Sequence, residues 1–169
     1  MPKFKSPIAN RQSPIVILGI DPGLADTGFG VIEKLGHQLT AIDCGSIKTP
    51  AKTLIENRLK TIYQELNKLI KKYRPQLIGV EQIFFAKNAK TAIAVSQARG
   101  VILLNAGQHH IPIVEFSPLQ VKMALTSYGQ ASKNQVEQMV KIILKLKSIP
   151  KPDDAADALA IAICSANQS

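Results

Sequence analysis

The sequence predicts an α/β fold, with five strands in one mixed β-sheet and α-helices packed against it. Three observations carry this expectation. A β-branched apolar run from Ile15 to Ile20 ends in the turn signal Asp21-Pro22-Gly23. Apolar residues recur at helical spacing from Leu54 to Tyr73. From there short apolar runs alternate with helical stretches, so the elements read βββαβαβααα, the order of a sheet with helices laid on it. At 169 residues the chain is long enough for one self-sufficient core, which buries roughly 68–70% of the unfolded surface at this size.

Residues 1–14 are set apart from that core. Pro2, Pro7 and Pro14 block regular structure there, and Lys3, Lys5 and Arg11 make the segment a basic flexible tail ahead of a single domain over residues 15–169. The first strand opens the domain, and Pro22 followed by Gly23 suits the two central positions of a type II turn. Thr27 to Glu33 and Leu39 to Lys48 are the next strands, with Gly36 between them. The following helix gathers Leu54, Leu59, Ile62, Leu66 and Ile70 on one face and Arg58, Lys60, Lys68, Lys71 and Lys72 on the other, and Pro75 stops it. Leu77 to Val80 is a short buried strand closed by Glu81, a second helix runs from Asn88 to Gln108, and Ile111 to Phe116 is the fifth strand. Ser117-Pro118 has the pattern of an N-cap with proline at the first helical position. Two further helices are expected, from Ser132 to Lys147 and from Asp153 to Ala166.

Composition narrows the function. With 46% hydrophobic and 20% charged residues the chain is neither disordered nor low in complexity, and two cysteines, Cys44 and Cys164, do not make a disulfide scaffold. No apolar run approaches the roughly 18 residues of a membrane span, and the first fourteen residues lack the apolar core of a secretory signal, so a cytoplasmic protein without a membrane partner is expected. Twenty-one Lys and Arg against 12 Asp and Glu leave a net charge of +9, which favours a polyanionic partner, and with no basic amphipathic anchor in view that partner is nucleic acid.

Four carboxylates stand against this basic background. Asp21 closes the first strand, Glu81 closes the fourth, and Asp154 and Asp157 share one face at the start of the last helix. Functional groups collect beyond the carboxyl ends of strands in open α/β sheets, so Asp21 and Glu81 meet there if strands one and four are neighbours. Singly, each has an ordinary explanation, since Asp-Pro-Gly makes turns and an Asp in a first helical turn serves the helix dipole. Glu81 is harder to explain so, because a carboxylate closing a doubly buried strand needs a partner or a cation. Convergence of all four would be forbidden by like-charge repulsion unless divalent metal neutralised them, and oxygen-only ligation selects Mg²⁺ or Mn²⁺. Two such ions about 3.5–4 Å apart suit in-line displacement at phosphorus, which makes a metal-dependent nuclease the expected class.

The residues that carry this chemistry also carry a resemblance. Gly19-Ile20-Asp21-Pro22-Gly23 with Thr27-Gly28-Phe29-Gly30, Val80-Glu81-Gln82 with Ala86-Lys87-Asn88 and Gln97-Ala98-Arg99-Gly100, and Asp154-Ala155-Ala156-Asp157-Ala158-Leu159-Ala160 together resemble the RuvC family of bacterial crossover junction endodeoxyribonucleases, in the family's order from about Ile15 to Ala166. The resemblance implies a ribonuclease H-like fold, a homodimer, two Mg²⁺ per active site with Mn²⁺ as a substitute, and paired symmetric nicks in a four-way Holliday junction. It implies RuvA and RuvB, the branch-migration proteins, as partners. It makes Asp21 the aspartate that bridges both metals and Glu81, Asp154 and Asp157 the other carboxylate ligands, with Asp153 left as an N-cap.

Phe84-Phe85-Ala86-Lys87-Asn88-Ala89-Lys90 interleaves aromatics with bases directly after Glu81, as expected where an unpaired base stacks and a phosphate is held. The resemblance places Phe84 against a base and Lys122 and Lys133 near the DNA; Lys87 and Lys90 complete the expected contacts. In the second helix Ala89, Ser96, Gly100 and Gly107 form a stripe of small residues that permits close approach of either the sheet or a second subunit. His37, His109, His110, Cys44 and Cys164 lack zinc-ligand spacing and read as structural. Two other readings stand beside the nuclease. One is an ATP-binding protein of the actin and sugar-kinase type, for which the chain has room for one lobe where two are needed; the other is a non-catalytic DNA-binding module.

Overall fold

The computed structural model describes residues 13–83 and 89–168. β1 (Ile15–Asp21), β2 (Asp26–Leu35) and β3 (Gln38–Lys48) form an antiparallel meander, as three consecutive strands joined by short turns must. Helix α1 (Ile55–Tyr73) then crosses over so that β4 (Leu77–Glu81) lies parallel to β1, and α2 (Ala89–Gln108) does the same for β5 (Ile113–Phe116) beside β4. The resulting sheet has the order β3-β2-β1-β4-β5. It is followed by α3 (Pro118–Thr126), α4 (Lys133–Ile143) and α5 (Asp153–Ala166).

Strand alternation sorts the core into two layers. Leu18, Ile20, Val31, Ile78 and Val80 pack under α1 and α2 against Ile62, Leu66, Ile70, Ala98, Ile102 and Ala106. Ile17 and Ile32 face the other way, into a layer with Leu159 to Cys164 of α5, Val121 and Leu125 of α3, and Val136 and Val140 of α4. Ser117 caps α3 as its sequence implies: its side chain accepts from the Gln120 N–H while the Gln120 side chain accepts from the Ser117 N–H. Ser132 and Gln135 build the same box at α4.

Two element ends differ from expectation. The fifth strand starts at Ile113 rather than Ile111, because the Ile111 N–H still bonds Ala106 O at the end of α2 and Pro112 has no N–H; its carbonyl instead receives the Ile78 N–H. α4 stops at Ile143 rather than Lys147, because Lys145 turns left-handed (φ 52°) and the Leu146 N–H reaches back to Lys141 O.

Candidate active site

The parallel register Ile20↔Val80 carries Asp21 and Glu81 to the same end of neighbouring strands. Across the antiparallel pair Asp21 faces Gly28, and Gly28 is where α5 touches the sheet. A Cβ at Gly28 would lie 2.1 Å from the Asp154 carbonyl oxygen, and one at Gly19 would lie 2.1 Å from that of Ala158. Only glycine allows so close a backbone contact. On the helix side the contact at Gly19 is made by the fully buried Ala158 and Ala162. The first turns of α5 are thereby held over the end of β1. Asp21, Asp154 and Asp157 each present a carboxylate oxygen there, all within 4.8 Å of one another. Glu81 stands outside that trio, close enough for its charge to act on Asp21.

The electrostatics follow from the crowding. Burial pushes Asp21 up to about 8, helped by the charges of Glu81, Asp157 and Asp154. Burial and the charge of Asp157 push Glu81 up to about 7. Asp154 is also raised, by burial and then by Asp26. Lys133 Nζ donates to Asp157 Oδ2 at 2.9 Å. Although burial opposes it, the bond to Asp157 and the charges of Asp157, Asp153 and Glu137 hold Lys133 above its ordinary value. One ammonium does not neutralise four carboxylates. The donors are all oxygen and lack positive charge, which fits a hard divalent cation such as Mg²⁺ or Mn²⁺.

The other expected residues are placed as follows. Asp153 is not the N-cap: Pro152 occupies that position, and Asp153 is the first helical residue, turned outward to Lys151 Nζ at 2.7 Å and Lys133 Nζ at 3.8 Å. Its exposed carboxylate is lowered by the Lys151 hydrogen bond and stays out of the trio. Lys122 lies on α3. Phe84 and Lys87 fall outside the described residues, as does the side chain of Lys90 in α2. Among the described residues, Gly100 and Gly107 of the small-residue stripe have no atom within 4 Å of an added Cβ, so they do not pack on the sheet. Sequence reading passed over Asp26. It lies two residues before Gly28 on β2, so strand alternation alone puts it on the α5 side.

A family model described as crossover junction endodeoxyribonuclease RuvC matches residues 17–165. The crossover junction endodeoxyribonuclease RuvC of Halothermothrix orenii is 55% identical over 153 residues, covering 90% of this chain and 93% of the relative. The solved structure of Thermus thermophilus RuvC superposes with a TM-score of 0.82 at 35% identity, covering 89% of this chain and 92% of that one. T. thermophilus RuvC in complex with a Holliday junction substrate gives 0.84 at 34% identity, over the same shares. The sheet and its flanking helices are therefore ribonuclease H-like, and the chain belongs to the RuvC family of crossover junction endodeoxyribonucleases.

Proposed function

We propose that this chain is a structure-selective endodeoxyribonuclease that resolves Holliday junctions in recombination and DNA repair by paired symmetric nicks. The observation that carries the reading is the convergence of Asp21, Asp154 and Asp157 where β1 ends beside β4, in a chain whose relatives are named crossover junction endodeoxyribonucleases and one of which was solved on a Holliday junction. Neither the ATP-binding reading nor the non-catalytic one has comparable support.

Asp21, Glu81, Asp154 and Asp157 would hold two Mg²⁺ per active site, or Mn²⁺ in their place. Cations held there would supply Lewis-acid polarisation of the scissile phosphate and a readily deprotonated water for in-line attack. The protein's own contribution is placement. Asp21 and Glu81 are fixed by adjacent strands, Asp154 and Asp157 by one helix face, and Lys133 both orients Asp157 and supplies a fixed positive charge where negative charge develops on the phosphate. Phe84 stacks on an unpaired base, and Lys87, Lys90, Lys122 and Lys133 hold phosphates.

A domain over 15–169 with a basic tail over 1–14 completes the architecture, and it works as a homodimer. Supporting the dimer, Ile93 and Leu104 are exposed on α2, at helical spacing from Gly100 and Gly107, whose surroundings are open among the described residues. A two-fold enzyme presents two sites to two strands of like polarity in a four-way junction. RuvA and RuvB are its branch-migration partners, and it acts in the cytoplasm; among the described residues no helix is long and apolar enough to cross a membrane.

The test is incubation of the protein with a mobile four-way junction, a linear duplex and an RNA–DNA hybrid, with Mg²⁺ and with chelator. Paired nicking of the junction alone, lost in chelator and in Asp21→Asn while junction binding persists, is the expected outcome. Wild-type cleavage by Asp21→Asn would overturn the metal-binding role of that residue.

A further inference from the structure

We propose that Asp26 is a positioning residue of the cation site, a fifth carboxylate that strengthens divalent-cation binding by acting through Asp154. The inference rests on the reading of the four-carboxylate site given above. Asp26 opens β2 two residues before Gly28, the glycine on which the Asp154 backbone sits. Strand side chains alternate, so Asp26 and Gly28 leave the sheet on the same side, toward the first turn of α5.

Asp26 Oδ1 is shut off from water and has no hydrogen-bond partner among the described residues. Its negative charge bears on Asp154 more strongly than any other charge does. Neither feature suits an aspartate that merely closes a turn, because such a residue bonds a local N–H. The bond that holds this turn is made by its neighbour, Thr27 Oγ1 donating to Gly23 O at 2.6 Å. Two acidic residues close by do have cationic partners: Asp153 has Lys151, and Asp157 has Lys133. The cross-strand neighbour of Asp26 is Lys48, yet no ion pair joins the two among the described residues. A buried, donorless carboxylate oxygen persists where something else repays its desolvation. Here that is a cation on Asp154, whose binding is favoured by every uncompensated negative charge behind the ligand. Asp26 needs no direct bond to the ion for this, since groups one layer behind metal ligands commonly change affinity 10–100-fold.

The experiment titrates Mn²⁺ into the metal-free full chain, followed by calorimetry and by the electron paramagnetic resonance of free Mn²⁺. It compares wild type with Asp26→Asn, Asp26→Ser, Asp26→Glu and Asp21→Asn. Asp26→Asn and Asp26→Ser should weaken Mn²⁺ binding about tenfold without lowering the melting temperature of the metal-free protein, and Asp26→Glu should restore most of the affinity. Wild-type affinity in the neutral variants overturns the proposal. So does loss of the fold in both, because Asp26 is then structural. Asp21→Asn separates the two levels of inference: if it too binds Mn²⁺ like wild type, the four-carboxylate site itself is misread.

Discussion

The two faces of the sheet are held by different kinds of contact. Under α1 and α2, branched side chains meet branched side chains: Leu18, Ile20, Val31 and Ile78 against Ile62, Leu66, Ile70 and Ile102. Such a layer keeps its function through small losses of volume, because neighbouring rotamers shift to fill part of the gap. On the other face α5 rests its backbone on the sheet, with glycine at 19 and 28 beneath it and alanine at 158 and 162 above. No rotamer can absorb a change there. That backbone contact is what carries Asp154 and Asp157, so the position of half the proposed ligands is set by residues with no functional group of their own.

The largest effect should therefore come from Gly28→Ala. Its Cβ would lie 2.1 Å from the Asp154 carbonyl oxygen, so the first turn of α5 must move and take both aspartates with it. Junction nicking should fall about 10²-fold, the order expected for a displacement near 1 Å, with an overpacking cost of about 1–3 kcal/mol. The matched change on the other face is Leu66→Ala. It should cost about 2–5 kcal/mol in urea denaturation, yet leave nicking per folded molecule near wild type. Normal nicking by Gly28→Ala would remove the asymmetry between the faces.

Charge separates the faces as well, and pH makes the difference measurable. Asp21 has a folded pKa near 8 and Glu81 one near 7, against ordinary values of 3.8 and 4.5. Both are raised, so between about pH 4 and pH 8 the folded chain holds more protons than the unfolded one. Stability of the metal-free protein should fall as pH rises through that window. Asp21→Asn removes the larger share: in chelator at pH 8 it should be more stable than wild type and melt several degrees higher. Saturating Mg²⁺ should reverse the ranking. Leu66→Ala should keep the wild-type pH slope, since no site carboxylate lies in its layer. Thermal melts from pH 5 to 8, with and without cation, check all of this, and a wild-type slope in Asp21→Asn would contradict the crowding argument.

What was legible in the sequence was what local chemistry marks. Asp21 follows an apolar strand and precedes Pro-Gly; Asp154 and Asp157 stand i and i+3 at a helix start; Ser117-Pro118 announces its cap. The meeting of Asp21 with Glu81 was legible only conditionally, because β1 and β4 are joined through α1 and their adjacency is a long-range fact. Asp26 was illegible for the same reason: its meaning comes from the contact between Gly28 and Asp154, far apart in the chain. The end of α4 was hidden because Lys145, neither glycine nor proline, takes the left-handed conformation. Asp153 was misplaced by one position because proline, held extended, took the cap and a lysine on each side drew the aspartate outward. The small-residue stripe fits sheet and subunit contact equally in sequence, and only the fold puts Gly100 and Gly107 in open space among the described residues.

The smallest effect sharpens the comparison most finely. Ile62 is fully buried between α1 and the sheet, and Ile62→Val removes one methylene from a layer made of side chains. The cost should be about 0.5–1.5 kcal/mol, toward the lower end if Leu66 and its neighbours close part of the gap. Because the α1 layer does not set the height of α5, junction nicking, Mn²⁺ affinity and the pH slope should all stay at wild-type values while the urea midpoint falls. A parallel fall in nicking and stability would mean that the two layers are coupled through the sheet, and that the site depends on side-chain packing after all.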